Sequence, residues 1–240
     1  MTEEEREANR PRNVSICFES FSVDLADAAA LQRAGLDDPK LYKELVDRVA
    51  KGKAIQEQFA VIRARSGEKA MLESISEQIY PTEYENGNVA DSKATVNPAP
   101  ANPPAAAAGA ATQAPQPQSQ PQAARDRDVP LAPPLGTSFE TRNVGSTYEI
   151  EPTLGEDNQI IDLRAAPDLV TYAGRSKWSK DTSETEMPTF ESQRTNTALT
   201  IRAGQPTLFG TPSRPPVSAI DPNSAKRVWF TFVTATVIKI

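Results

Sequence analysis

The stretch "NPAPANPPAAAAGAATQAPQPQSQPQAARDRDVPLAPP" constrains this chain more than any other feature. From residue 87 to 136 the sequence holds about half of the chain's 21 prolines, with alanine and glutamine and hardly a large apolar side chain. Such a segment cannot bury enough surface to offset the entropy of ordering it. It is expected to be a long disordered Pro/Ala-rich linker, extended and biased towards polyproline II. No specificity residue of the kind a proline-motif ligand carries punctuates it, so a spacer is the reading. Everything that folds must come from either side: a charged tail over 1–12, a first half over 13–86 and an all-β second half over 137–240.

The first half reads as strand, helix, helix, strand, strand. Val14, Ile16 and Phe18 alternate with Ser15, Cys17 and Glu19, the period of a half-buried strand. "DLADAAALQRAG" predicts a helix with Asp24 as its cap and Gly35 as its stop. "DDPKLYKELVDRVAKG" predicts a stronger one, capped by Asp38, with Pro39 in its first turn and Gly52 at its end. Leu41, Leu45, Val46 and Val49 form its apolar stripe. Ile55 to Arg65 is a strand, Ser66-Gly67-Glu68 a turn, and Met71 to Tyr80 a second strand that Pro81 should end.

Beyond the linker the pattern is β throughout. A strand through Tyr148 and Ile150 is followed by a turn at Gly155-Glu156-Asp157-Asn158 and a strand from Gln159 to Arg164. A further strand runs from Leu169 to Ala173, and "GRSKWSKDTSETE" reads as a polar loop. "MPTFESQRTNTALTIRAGQPTLFG" reads as a hairpin turning at Ala203-Gly204, with Ala198 to Arg202 as its best-defined strand. The closing "RVWFTFVTATVIKI" is β-branched and aromatic on both faces, as in a central strand buried on two sides. The fold class is therefore α+β and mostly β, with mixed or antiparallel sheets and two N-terminal helices.

Composition argues against catalysis. Histidine is absent, which removes the commonest general base and the commonest metal ligand. The single cysteine, Cys17, has no histidine to activate it, and it fits a buried or half-buried strand position. A net charge of -6 with both signs interspersed leaves no basic footprint for nucleic acid. No apolar run is long enough for a membrane-spanning helix.

Asp157, Asp162 and Asp168 are the carboxylates that could serve acid–base work or a divalent cation, but Asp157 falls in a turn and Asp162 at the polar position of a strand. Gly204-Gln205-Pro206 and Gly210-Thr211-Pro212 lack phosphate-loop spacing. Trp229 fits packing within its strand, and Trp178 could cover a sheet edge. No catalytic residue, cofactor or metal is assigned.

In order, the strand motifs resemble the C-terminal secretin domain of bacterial type II and type III secretion systems and type IV pilus machines. "VSICFESFSVD" stands where the opening strand of that domain lies, and "AIQEQFAVIRARSGEKAMLESISEQIYPTEYE" resembles the segment after it. "FETRNVGSTYEIEPTLGEDNQIIDLRAAPDL" is similar to the run in which a Val-Gly pair precedes a strand, a polar turn and a second strand. Its family positions are Val144, Gly145, Pro152, Gly155 and Leu163. The hairpin "MPTFESQRTNTALTIRAGQPTLFG" resembles the signature hairpin through Pro188, Arg194, Thr195, Thr197, Gly204, Gln205 and Gly210. "VWFTFVTATVIKI" takes the place of the final strand.

The resemblance implies a non-enzymatic component of a secretion or type IV pilus apparatus, docking by β-strand contacts with envelope proteins, with self-association left open. It implies a periplasmic or outer-membrane-associated place and a leader removed ahead of Met1, a cytoplasmic place also staying open. The Ala/Pro tract sits where family members carry gate hairpins, so an autonomous pore is not expected. The alternative is a soluble immunoglobulin-like β-sandwich acting in adhesion or as a pilus accessory. Pairing of the first strand with strands beyond the linker separates the two.

Overall fold

A computed structural model describes residues 12–85, 135–180 and 183–239. In chain order these form β1 (Arg12–Asp24), α1 (Leu25–Arg33), α2 (Asp38–Ala50), β2 (Ile55–Arg65), β3 (Ala70–Glu85), β4 (Leu135–Leu154), β5 (Ile160–Lys180), β6 (Ser183–Arg194), β7 (Thr197–Arg202), β8 (Thr207–Gly210) and β9 (Arg227–Lys239). The span read as a linker lies outside the described residues except for its last two, which already belong to β4.

Two antiparallel sheets face each other. The first has the order β2-β1-β9-β8; the second runs β3-β4-β5-β6, with β7 beside β5. The chain is stitched across residues 86–134 in both. β1 pairs with β9 along its whole length, Val14 opposite Val237 and Phe18 opposite Val233. β3 pairs with β4 from Ala70–Ile150 to Glu85–Leu135.

Alternation decides which faces meet. Val14, Ile16 and Phe18 of β1 and Val233 and Ala235 of β9 point to the second sheet, where Tyr148, Ile150, Ile161, Leu163, Ala165 and Ile201 complete one core. Phe18 is the central ring, 5.2 Å from Tyr148 and 5.7 Å edge-on to Phe209. On the opposite face of the first sheet, Phe21, Val23, Phe230 and Phe232 receive Ala28 and Leu31 of α1 and Leu41 and Leu45 of α2. Trp229 and its neighbours to Val233 are buried, so β9 is covered on both sides there, as its composition predicts.

Several sequence readings are corrected. Asp37, not Asp38, caps α2, accepting from the Lys40 amide at 3.0 Å; Asp38 instead accepts the Leu208 amide of β8 at 2.9 Å. Asp24 occupies the cap position of α1 without a side-chain hydrogen bond. Val46 is 39% exposed, and Tyr42 packs against the helix-covered core instead. Pro81 does not end β3, which continues to Glu85 through irregular pairing after Pro81. Among the described residues this strand has a partner on one side only, so a proline without an N–H costs it little.

The turn Ser66-Gly67-Glu68 joins strands that do not pair, since β2 lies beside β1 and β3 beside β4. The strand at 169–173 and the first part of the polar loop after it, to Lys180, belong to one element, β5, and residues 183–186 of that loop open β6, which pairs with it. The largest correction concerns Met187 to Gly210, which is no hairpin. Its first strand, in β6, and β7 both pair with β5, whereas β8 pairs with β9 in the other sheet. At the turn the Ala203 amide bonds Gln159 O and the Gly204 amide bonds Ala235 O, both at 2.7 Å. The chain steps between sheets there, and a local pattern cannot distinguish a step from a reversal.

Candidate assembly surface

β4 and β5 pair only from Gly145–Val170 to Leu154–Ile161. Beyond that point the sheet divides into two long ribbons, β3 with β4 and β5 with β6. Gly145 marks the fork. Its φ is 136°, and a Cβ there would lie 2.1 Å from Ser74 O, so only glycine lets β3 approach this closely. Val144 beside it is half-buried and opposite Ser76.

The ribbons touch through one face each. Tyr80 of β3 lies 5.8 Å from Phe190 of β6, and the Arg142 guanidinium sits 5.2 Å over the same ring while donating to Ser192 Oγ at 3.1 Å. The Tyr84 hydroxyl donates to Glu186 O at 3.3 Å. The other face of β3 is open: Met71 is 58%, Ile75 37% and Ile79 69% exposed, with Glu73 and Glu77 between them. The outer edge of β3 and that of β6 end the sheet order.

The remaining motif residues serve the joints of this frame. Pro152 is buried opposite Leu163, and its carbonyl accepts the Gly67 amide at 2.7 Å. Gly155 closes its turn with an amide bond to Ile160 O at 2.8 Å, while Asn158 takes the positive φ. Pro188 of β6 lies opposite Arg175 of β5. Arg194 donates through Nε and Nη2 to Asp168 Oδ2, at 3.0 and 2.5 Å. The Thr195 amide bonds Pro167 O at 3.1 Å, and Thr197 begins β7 opposite Ala165. Gly204, at φ 78°, makes the step between sheets, with the Gln205 amide bonded back to Arg202 O at 3.2 Å. Gly210 ends β8 opposite Thr231.

The structure does not gather the three aspartates into one site; each has its own partner. The Asp157 carboxylate accepts the amides of Gln159 and Ile160 and is held below its usual range by them. Asp162 accepts from Thr200 Oγ1 at 2.6 Å, and Asp168 is taken by Arg194. Among the described residues no group of three or more acidic or cysteine side chains could hold a metal ion. A cleft of about 820 Å³ between the end of α2 and the start of β9 is lined by Asp27, Glu44, Arg48 and Arg227. Its arginines are engaged: Arg48 with Asp27 and Glu44, Arg227 with Glu57 and Asp221.

Cys17 is half-buried, and burial, then the Glu19 charge, pushes its thiol up to about 11. It stays protonated near neutrality and is a poor nucleophile. Residue 178 lies in β5 opposite Thr185 rather than in a loop; the tryptophan side chain is outside the described set.

Sequence patterns missed one buried group. Glu191 of β6 is 7% exposed and accepts from Ser218 Oγ at 2.9 Å and the Ala219 amide at 2.8 Å, with Arg214 at 3.5 Å. Gln193 donates to Pro212 O at 2.6 Å. Together they hold the irregular segment 211–226 against the base of the β5–β6 ribbon. In the sequence that segment, TPSRPPVSAIDPNSAK, reads only as a turn-rich stretch.

No family model and no curated protein matches the chain. Solved structures that it resembles include secretins. One is the type II secretion system secretin GspD of E. coli K12, at 10% identity and a TM-score of 0.42, covering 96% of this chain and 51% of that one. The Salmonella SPI-1 type III secretion injectisome secretin InvG is similar at 9% identity and a TM-score of 0.41, over 96% of this chain and 65% of that one. A chain of the Klebsiella pneumoniae type II secretion system outer membrane complex, with PulD, PulS and the PulC HR domain, is similar at 12% identity and a TM-score of 0.44, over 99% of this chain and 42% of that one. The chain thus spans about half the length of the first structures it matches. No helix among the described residues is long and apolar enough to cross a membrane.

Proposed function

We propose that this chain is a non-enzymatic, secretin-like component of a bacterial secretion or type IV pilus apparatus, working at the cell envelope by strand pairing with partner proteins. One observation carries the reading: a body stitched across residues 86–134 projects two ribbons whose outer strands, β3 and β6, each have an edge without a strand partner among the described residues. Unpaired edges of this length are templates for another strand. The pairing of β1 with β9 favours this reading over an immunoglobulin-like module, and the strand motifs quoted from the sequence agree with it.

The ribbon chemistry supports assembly rather than an autonomous pore. A lipid-facing strand needs one continuous apolar face. In β3 the outward face alternates Met71, Glu73, Ile75, Glu77 and Ile79, while the inward face carries Leu72, Ser74, Ser76, Gln78 and Tyr80. Neither face is apolar throughout. Size-exclusion chromatography with light scattering, run with and without detergent, tests both parts. Assembly with envelope partners in the absence of large detergent-stable rings is the expected result. Rings that survive detergent overturn the denial of a pore, and a chain that pairs with nothing overturns the assembly role.

A further inference from the structure

We propose that a small pocket between the two sheets is a one-water site, and that its water ties the base of the β5–β6 ribbon to the first sheet. The pocket measures about 20 Å³, and its wall includes Tyr148 of β4, Asp168 of β5, Gln193 of β6, Pro212 and Thr231 of β9. A single water needs about 10–15 Å³ and about two to four polar partners. The space therefore suits one water and nothing larger.

The wall holds an acceptor and a donor that no protein group satisfies. Gln193 is 9% exposed, and its Nε2 donates to Pro212 O at 2.6 Å. A proline carbonyl can only accept, so this bond fixes which end of the amide is nitrogen. The other end, Oε1, is buried without a hydrogen-bond partner. Tyr148 is buried too, and among the described residues its hydroxyl has no partner. Burial raises the pKa of that hydroxyl, so it stays protonated near neutrality and is available as a donor. Polar groups buried in this way are costly to leave unpaired, and in folded proteins they are almost always bridged.

Water satisfies both at once, accepting from the Tyr148 hydroxyl and donating to Gln193 Oε1. Thr231 supplies the third partner. Ser20 gives its one hydroxyl hydrogen to Gln58 Oε1 at 3.1 Å, so Thr231, 2.8 Å from Ser20 Oγ, is the donor of that pair. The Thr231 oxygen keeps a lone pair for the second hydrogen of the water. A cation suits the wall less well, because it has no use for the Tyr148 donor. Asp168 Oδ1 is also without a partner, but the charge of that carboxylate is countered by Arg194. A bridging water is nearly as favourable as a direct hydrogen bond. This one joins β4 and β6 of the second sheet to β9 of the first, beside the Gln193–Pro212 bond that holds segment 211–226.

The test is a double-mutant cycle on the full chain, read by urea unfolding, with Tyr148→Phe and Gln193→Met alone and together. The first keeps the ring against Phe18 and removes only the hydroxyl. No hydrogen bond joins Tyr148 to Gln193 directly, so coupling between them has to pass through what lies between. Each single change should lower the folding equilibrium constant about fivefold. In the Gln193→Met background, Tyr148→Phe should cost about twofold or less. Wild-type NMR spectra should also show cross-peaks from a bound water to the Gln193 side-chain amide and the Tyr148 ring hydrogens, and Tyr148→Phe should lose them. Effects that simply multiply overturn the bridge, and so does a folded wild type without those cross-peaks. Exchanging sodium or potassium for N-methylglucamine at equal ionic strength should leave stability unchanged. A fall in the wild type that both single variants lack would put a cation in the pocket and overturn the proposal. Should a variant fail to fold, the wild-type cross-peaks decide alone.

Discussion

Gly145 of β4 and Ser74 of β3 are so close that a single added carbon on the glycine would lie 2.1 Å from the serine carbonyl oxygen. The contact falls where β4 first gains β5 as a second neighbour, so it fixes the origin of both ribbons. Gly145→Ala should cost about 3 kcal/mol or more, through backbone strain at φ 136° added to the clash. Urea unfolding measures this, and Gly210→Ala, with open space at its Cβ, should change little.

Glu191 holds segment 211–226 from a buried position, with Arg214 as its counter-ion. Glu191→Ala removes the acceptor for Ser218 and Ala219 and leaves a mostly buried guanidinium unpaired. A loss of about 3 kcal/mol is expected, together with faster proteolysis within 211–226 at temperatures where the sheets remain folded.

Cys17 lies directly opposite Thr234 in the β1–β9 ladder, and both side chains are half-buried. Thr234→Cys should therefore oxidise to an intrachain disulfide that shifts mobility on a non-reducing gel. Because the bridge closes nearly the whole chain, its entropic stabilisation should reach about 5 kcal/mol. Reduction should return the melting temperature to that of the wild type. Failure to form the bridge would contradict the pairing of the two halves.

The Cys17 thiol gives the chain an alkaline limit. Its pKa is raised from 9.0 to about 11 in the folded protein, so between those values the unfolded chain loses its proton while the folded one keeps it. The folded state then binds more protons, and stability falls as pH rises through that window. Below pH 9 this contribution is fully present. Denaturant midpoints at pH 8 and 10.5 should differ less in Cys17→Ser than in the wild type, and thiol-reagent labelling should be slow at pH 8.

Much of the fold was legible because it is written in local period. Val14, Ile16 and Phe18 are buried where alternation puts them, Leu41 and Leu45 face the core at helical spacing, and Gly35 and Gly52 take the positive φ that ends each helix. Asp157 was legible too, since an aspartate two residues before an unpaired amide has a local use. The surface was less so. The motif residues could be named from resemblance, but their positions at a fork, a step and a turn could not be derived from spacing. Glu191 gave no signal, because its partners Ser218 and Ala219 lie in a segment without period.

What the sequence alone determined is the inventory: which residues extend, which coil, which face each strand buries, and that no histidine is present to carry catalysis. Only tertiary structure decided the pairing. β7 and β8 follow one another as neatly as a hairpin, yet they belong to different sheets, and β2 and β3 part in the same way. The physical reason is that strand hydrogen bonds are satisfied by whichever neighbour packing supplies. That neighbour is chosen by burial of Phe18, Ile150, Leu163 and Ile201 between the sheets, and not by proximity along the chain.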